Sequence, residues 1–367
     1  MITRIYVDNY KCFTNFDFSP QAVQPIFGGN GSGKTTLFEV LNSIRDFVIE
    51  GERCATVFPS TTLTRWDPRK RQTISIEFLG TKGRYSYKLI VVHGTTQSSR
   101  IEREELYWEN TSLYQFADGQ ARMTDAVGSE KTVRVESTRS CLYILIEGLH
   151  ADLVPSFSNS LSRFVMSRLI PSQMTSQTSA EEDRLSNGGG NFASWYRRLV
   201  QEDFNAVSSI TNDLKQVIDG FDSLTFVTAG DVKVLKVLMA RPEGQDGKPI
   251  VFDFRELSDG QRVLIVLYSL LHGSAGAESV LCLDEPANFL ALPEIQPLLV
   301  RLRDSVGDGW SQLFVVSHHP ESIDYLAADG AVRFVRDGIG PVRVEPFPKM
   351  NPDGLKASEL VARGWDG

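Results

Sequence analysis

Lys34 and Thr35 close the stretch GGNGSGKTT at residues 28–36, where the spacing Gly-x-x-x-x-Gly-Lys-Thr runs from Gly28 to Thr35. That pattern suits phosphate chemistry. Glycines let backbone amides curl around phosphate oxygens, and a helix that starts there adds the positive end of its dipole. Gly28, Asn30, Gly31, Ser32, Gly33 and Thr36 are then the cradle. Lys34 reaches the β and γ phosphates of a nucleotide, and the Thr35 hydroxyl ligates Mg²⁺. Two further stretches end in groups that complement such a loop. LCLDEP delivers Asp284 and Glu285 at the end of an apolar run. Asp284 is suited to hold Mg²⁺ directly or through water, and Glu285 to orient or deprotonate an attacking water. QLFVVSHHP ends in Ser317 and His318. A histidine there can bond a γ-phosphate or the lytic water, whereas His319 should point the other way, since adjacent side chains alternate on an extended strand.

The stretch LSDGQR, Leu257 to Arg262, has two readings. Ser258 and Gln261 have the spacing of a capping box, each satisfying a backbone donor at a helix start. Ser258, the nearby amides and the helix N-terminus would equally make a second phosphate cradle. A nucleotide already held by Gly28 to Thr35 has no obvious need of that cradle within one subunit.

The elements that must position these groups are legible around them. PIF precedes the glycine loop as a short apolar strand, and LFEVLNSIRDFVI follows it with helical spacing. SVLCLDEP and QLFVVSHHP are continuous apolar runs, as expected of strands buried on both faces of a parallel sheet covered by helices. In open α/β sheets ligands sit at the carboxyl ends of such strands. VLIVLYSLL is apolar nearly all round, which predicts a buried helix. Residues 1–27 read as short strands leading into a turn. ISIEF, YSYKLIVV and ELYW, within residues 72–118, predict an antiparallel β section. Residues 139–218 read as mainly helical, interrupted by a polar stretch from Ser172 to Ser179 and by SNGGGN at 186–191. DSLTFVTAGDVKVLKVLMA suggests two strands, and AVRFVRDGIGPVRVEPF a hairpin around Asp337-Gly338. The expected class is α/β, with a mostly parallel core sheet, an antiparallel β subdomain and a helical insert. The expected division is an N-terminal lobe over 1–138, a mainly helical insert with linker strands over 139–254, and a C-terminal lobe over 255–367.

Composition narrows the function classes. The chain has 367 residues, 41% apolar and 23% charged, with a net charge of −8. That is ordinary for a globular protein and argues against bulk nonspecific attraction to DNA. It leaves room for a local basic groove. RWDPRKR, Arg65 to Arg71, is the densest basic cluster and reads as such a groove or as a solvated loop. Cys12, Cys54, Cys141 and Cys282 are scattered with no CxxC pair, which suits reduced thiols in the cytoplasm. No run of 18 apolar residues exists, and the N-terminus alternates like a strand, so neither membrane insertion nor a signal peptide is expected. No Cys-His metal cluster, Ser-His-Asp ordering or nuclease carboxylate constellation stands out.

The order phosphate loop, LSDGQ, LCLDEP, SH resembles the ATP-binding cassette (ABC) ATPases, with their Walker A, signature, Walker B and switch-histidine motifs. MITRIYVDNYKCF leading into a loop near residue 30 is similar to the RecF, SMC and OLD-like branch, where an N-F-[KR] element brings a basic residue to the nucleotide. Here the element is Asn9-Tyr10-Lys11, so the resemblance implies a contact from Lys11. It also implies ATP with Mg²⁺, and a twofold head-to-tail dimer in which Ser258, Gly260 and Gln261 close on the partner's ATP. It covers residues 1–50 and 255–350, without SMC arms. Gln173 is the candidate for the Q-loop glutamine. Many compact relatives read DEPENGLHP after Walker B, whereas this chain reads DEPANFLALPEIQP, which leaves the interface role of Asn288 to Leu292 open. The implied function is a cytoplasmic ATPase that dimerises on ATP and drives or gates a partner in DNA metabolism or phage defence, the partner being a nuclease-like effector or DNA. Two alternatives stand beside it. An ATP-binding subunit of a membrane transporter conflicts with the roughly 230 residues between Walker A and signature. A hydrolysis-poor nucleotide-dependent scaffold conflicts with the presence of Lys34, Asp284, Glu285 and His318 together.

Overall fold

Three apolar runs, Val23–Phe27, Val280–Asp284 and Gln312–Val316, lie side by side as parallel strands at the centre of the fold, the latter two wholly buried. The computed structural model describes residues 1–94, 98–124, 129–145, 152–242, 244–245, 247–274, 276, 278–348 and 354–363. The central sheet runs in the order Phe164–Ser167, Val280–Asp284, Gln312–Val316, Val23–Phe27, Val332–Arg336, Val342–Pro346. All neighbours are parallel except the last pair, the hairpin expected around Asp337-Gly338. Side chains alternate between two cores. Cys282, Phe314 and Val316 face one, while Leu281, Leu283, Leu313 and Val315 face the other. That is why these strands carry no polar face: each is covered on both sides.

The first core is shared with the helix Lys34–Ile49, which buries Leu37, Val40, Leu41, Ile44, Phe47 and Val48. It is also shared with an antiparallel sheet running Phe16–Phe18, Ile2–Asp8, Arg71–Gly80, Gly83–His93, Ser99–Trp108, Thr111–Ala117, Gln120–Thr124, Glu130–Arg134. There the period-two pattern is plain: Ile74, Ile76 and Phe78 are buried while Thr73, Ser75 and Glu77 are not. The second core gathers the helices Phe192–Glu202, Phe204–Val217, Asp259–Gly273 and Leu292–Asp304. Every residue from Val263 to Leu271 is buried, as the all-round apolar run requires. A third, small sheet pairs Phe221–Ala229 with Val232–Met239, the two strands read at 222–240, and adds Ile250–Asp253 and Gln177–Thr178. Among the described residues no helix is long and apolar enough to cross a membrane.

One strand departs from the expectation. Phe164–Ser167 lies inside the segment read as mainly helical, yet it pairs in parallel with Val280–Leu283. Four residues are too few for periodicity to tell strand from helix, so the tertiary partner decides.

The antiparallel lobe also encloses a carboxyl group. Glu104 is 0% exposed and accepts hydrogen bonds from Tyr87 at 2.8 Å, Tyr114 at 3.1 Å and Ser140 at 2.6 Å. Burial pushes its pKa up to about 7, against the three hydrogen bonds, which pull it down. A raised carboxyl pKa means that the folded state holds the proton more tightly. Its contribution to stability is therefore complete below the unfolded pKa and is lost as pH rises through about 7. Glu104→Gln removes this titration. Relative to the variant, the wild type should lose about 3 kcal/mol between pH 4.5 and 7.5, read by urea unfolding. A stability difference that stays constant with pH would show that Glu104 is ionised in the fold.

Candidate active site

Parallel pairing in register brings the chemically active strand ends to one edge of the central sheet. Ser167 pairs with Leu283, Asp284 with Val316, and Val316 with Ile26. Asp284, Ser317-His318 and the start of the glycine loop therefore emerge together. The loop joins the strand Val23–Phe27 to the helix Lys34–Ile49, and Gly33 is the N-cap of that helix with φ of 95°. A Cβ on Gly33 would also lie 2.9 Å from the Cys12 sulfur, so packing as well as backbone conformation requires glycine there.

Around this edge lies a cavity of about 860 Å³, large enough for a nucleotide, lined by the loop from Asn30 to Thr36 together with Asp284, Glu285 and His318. Lys34 is buried and its Nζ donates to the carbonyls of Gly28 at 2.7 Å and Gly29 at 2.9 Å. Burial lowers its pKa, opposed by the charges of Glu285 and Asp284. The Ser32 hydroxyl is buried with no hydrogen-bond partner, as suits a group meant to meet a phosphate oxygen. Thr35 Oγ1 donates to Asp284 Oδ2 at 2.8 Å. These two hard oxygens fit Mg²⁺, which is commonly held by one or two protein groups together with substrate phosphates. Among the described residues no cluster of three or more His, Cys, Asp or Glu competes as a metal site.

Glu285 has φ of 57°, in the left-handed region that a non-glycine residue seldom occupies. The strained backbone turns its carboxylate toward His318. Glu285 Oε2 accepts from the His318 backbone amide at 3.0 Å, and Oε1 lies 3.5 Å from His318 Nε2. Burial raises the Glu285 pKa and the neighbouring Asp284 charge adds to it, while the His318 amide and Lys34 oppose the rise. Burial and the Lys34 charge lower the His318 pKa. A carboxylate of raised basicity beside an imidazole whose protonation is disfavoured is an arrangement suited to proton transfer.

The other sequence-derived residues fall as follows. Lys11 lines the cavity, but its ammonium is paired with Glu39. Ser258 caps the helix Asp259–Gly273: Gln261 N donates to Ser258 Oγ at 3.3 Å and Ser258 N to Gln261 Oε1 at 3.1 Å. Ser258, Gly260 and Gln261 do not line the cavity; Ser258 is exposed to solvent. Gly260 packs against the loop that follows Glu285, where a Cβ would come within 2.6 Å of the Phe289 carbonyl oxygen. Gln173 lines a second cavity of about 390 Å³ that opens beside Thr35 and Asp284. His319 accepts from the Glu321 amide at 3.3 Å and caps the next helix, so it is turned away from the cavity's chemistry.

Sequence reasoning gave no site role to Arg65, Trp66, Arg168 and Arg336, which also line the cavity together with Asn288, whose role it left open. Arg65 and Trp66 lay inside the basic cluster RWDPRKR, which the fold divides. Arg69 is paired with Asp8 and Asp67, and Arg71 with Glu102, whereas Arg65 and Trp66 face the cavity. Arg168 follows the strand Phe164–Ser167 and contributes a positive charge near Glu285. Nothing local in the sequence marks it.

The chain covers nearly the whole of a solved SMC head. In the crystal structure of the SmcHead bound to the C-winged helix domain of ScpA, the match has a TM-score of 0.57 at 13% identity and covers 98% of this chain and 99% of that one. The chain has the fold of an SMC head domain. An SMC head domain from Thermotoga maritima aligns at 15% identity over 95% of this chain and 99% of its own length, with a TM-score of 0.44. Residues 179–324, less than half of the chain, match the model of the family described as "AAA domain, putative AbiEii toxin, Type IV TA system". That span contains Ser258, Asp284, Glu285 and His318. No curated protein matches the chain. The family match and the SMC-head fold both agree with the resemblance to the RecF, SMC and OLD-like branch.

Proposed function

We propose that this chain binds ATP with Mg²⁺ in the cavity at the sheet edge and hydrolyses it to ADP and phosphate. The observation that carries the reading is the 2.8 Å contact of Thr35 with Asp284, which joins the end of the phosphate loop to the acidic strand end beside Lys34, Glu285 and His318. In this reading the loop amides from Asn30 to Thr36 and the Lys34 ammonium hold the β and γ phosphates. Thr35 Oγ1 and the Asp284 carboxylate hold Mg²⁺, which offsets phosphate charge. Glu285 takes a proton from the attacking water, and His318 fixes the geometry of that carboxylate through its amide and faces the γ-phosphate with its ring.

The signature segment completes the site from a second copy. Ser258 and Asp259, at the start of the helix Asp259–Gly273, are exposed and lie outside their own chain's cavity, where another subunit's γ-phosphate can meet them. A twofold head-to-tail dimer then encloses two ATP molecules, closing on binding and reopening on hydrolysis. Such a cycle reports the nucleotide state to a partner. The structural relative is bound to a winged-helix domain, and the matching family is described in terms of a toxin–antitoxin system. Both are compatible with an effector protein or DNA as the partner, in DNA metabolism or phage defence. Four buried free cysteines suit the reducing cytoplasm.

The direct test is calorimetric titration with Mg-ATP. Lys34→Ala should weaken ATP binding at least about tenfold, or about 1.4 kcal/mol. Unchanged affinity in a folded variant would remove the phosphate-loop assignment.

A further inference from the structure

We propose that Trp66, stacked on Arg336, is the platform for the base of the bound nucleotide, and that it selects purine over pyrimidine nucleoside triphosphates. This rests on the reading of the cavity as a triphosphate site. It adds where the other end of the ligand lies.

The guanidinium carbon of Arg336 sits 5.4 Å from the Trp66 ring centroid. Arg336 is itself fixed by three carbonyls: Gly31 at 3.1 Å, Gly340 at 2.8 Å and Ile339 at 3.0 Å. The first of these belongs to the phosphate loop, so the platform is tied directly to the residues that hold the phosphates. The loop bearing Trp66 is fixed from its other side. Thr64 N donates to Asn9 Oδ1 at 3.1 Å, Lys11 N to Thr62 O at 2.7 Å, and Asp67 N to Thr64 O at 3.1 Å. Asn9 is wholly buried and its Nδ2 also donates to the Arg69 and Arg71 carbonyls. In the Asn9-Tyr10-Lys11 element it is thus the asparagine that ties the tryptophan loop to the N-terminal strand.

A large aromatic residue held this firmly is normally buried, yet Trp66 is 38% exposed at the cavity wall, and Ile339, which lines the same cavity, is 75% exposed. Arg336 lies over the indole, and the part of the Trp66 surface that it does not cover is open to a ligand at the cavity wall. A planar base stacked on an aromatic ring gains roughly 1–3 kcal/mol. A bicyclic purine overlaps an indole over more area than a single pyrimidine ring does, which gives the selection its direction. The loop from Asn30 to Thr36 and Trp66 line one cavity, so one nucleotide can reach both.

The test titrates the full chain, in the presence of Mg²⁺, with ATP, CTP and inorganic tripolyphosphate, using wild type, Trp66→Ala and Trp66→Phe. Wild type should bind ATP more tightly than CTP. Trp66→Ala should bind ATP roughly tenfold more weakly, level the preference over CTP, and hold tripolyphosphate within about twofold of wild type. Trp66→Phe, which keeps a ring, should retain most of the ATP affinity. Three results would overturn the inference: Trp66→Ala binding ATP as wild type does, equal losses for ATP and tripolyphosphate, or a wild type indifferent to the base. In each of these the phosphate site stands as long as wild type binds tripolyphosphate. A wild type that binds neither ATP nor tripolyphosphate overturns the triphosphate reading, and the base platform with it.

Discussion

Glu285→Gln should leave ATP binding near wild type while hydrolysis falls at least roughly a hundredfold, the contribution of a positioned general base. The substitution keeps the shape of the side chain and an oxygen that can accept from the His318 amide, now 3.0 Å from Glu285 Oε2. It removes the basicity that burial and Asp284 have raised. With ATP bound and not consumed, the variant should accumulate as an ATP-dependent dimer on size-exclusion chromatography. The wild-type pH profile follows from the same group. Glu285 acts deprotonated, so turnover should fall as pH drops through its pKa, and that limb should lie above the range of an ordinary carboxylate. The limb should vanish from the residual rate of Glu285→Gln. Turnover near wild type in the variant would remove Glu285 from the role and make His318 the first alternative.

The chemistry of the site was legible because its parts are local. Gly28 to Thr35 declare themselves by spacing alone, and the apolar run Val280–Leu283 marks a buried strand that ends in Asp284 at the sheet edge. With both strands in one parallel sheet, the glycine loop and the helix start that follows it bring Thr35 to 2.8 Å from Asp284. The antiparallel lobe was legible from alternation, as at Ile74, Ile76 and Phe78. What stayed hidden depends on tertiary partners. Phe164–Ser167 is a strand because Val280–Leu283 is beside it, and Arg168 reaches the cavity only because that strand ends there. Lys11, implied by the resemblance alone, lines the cavity, and its pairing with Glu39 of the Lys34–Ile49 helix could not be read from the sequence. Trp66 and Arg336 lie 270 residues apart and meet beside the phosphate loop, to which Arg336 is hydrogen-bonded, a juxtaposition that no window of sequence contains.

The ambiguity of LSDGQR carries into the structure, where the capping box is formed and Ser258 is still exposed. Both roles are compatible, and their consequences differ. Loss of the cap alone costs about 1 kcal/mol and affects each subunit independently. Loss of a contact across an interface abolishes turnover with ATP binding intact. Mixing two inactive variants separates these cases and is the most direct test of a composite site. Ser258→Arg and Lys34→Ala should each be inactive as homodimers. In a mixed dimer both lesions fall in one site, and the other site pairs an intact phosphate loop with an intact signature. With equal amounts and random pairing, half of the dimers are mixed and each has one sound site, so the ATPase rate should recover to roughly a quarter of wild type if the sites act independently. A Ser258→Arg protein that hydrolyses ATP at the wild-type rate by itself would contradict the account.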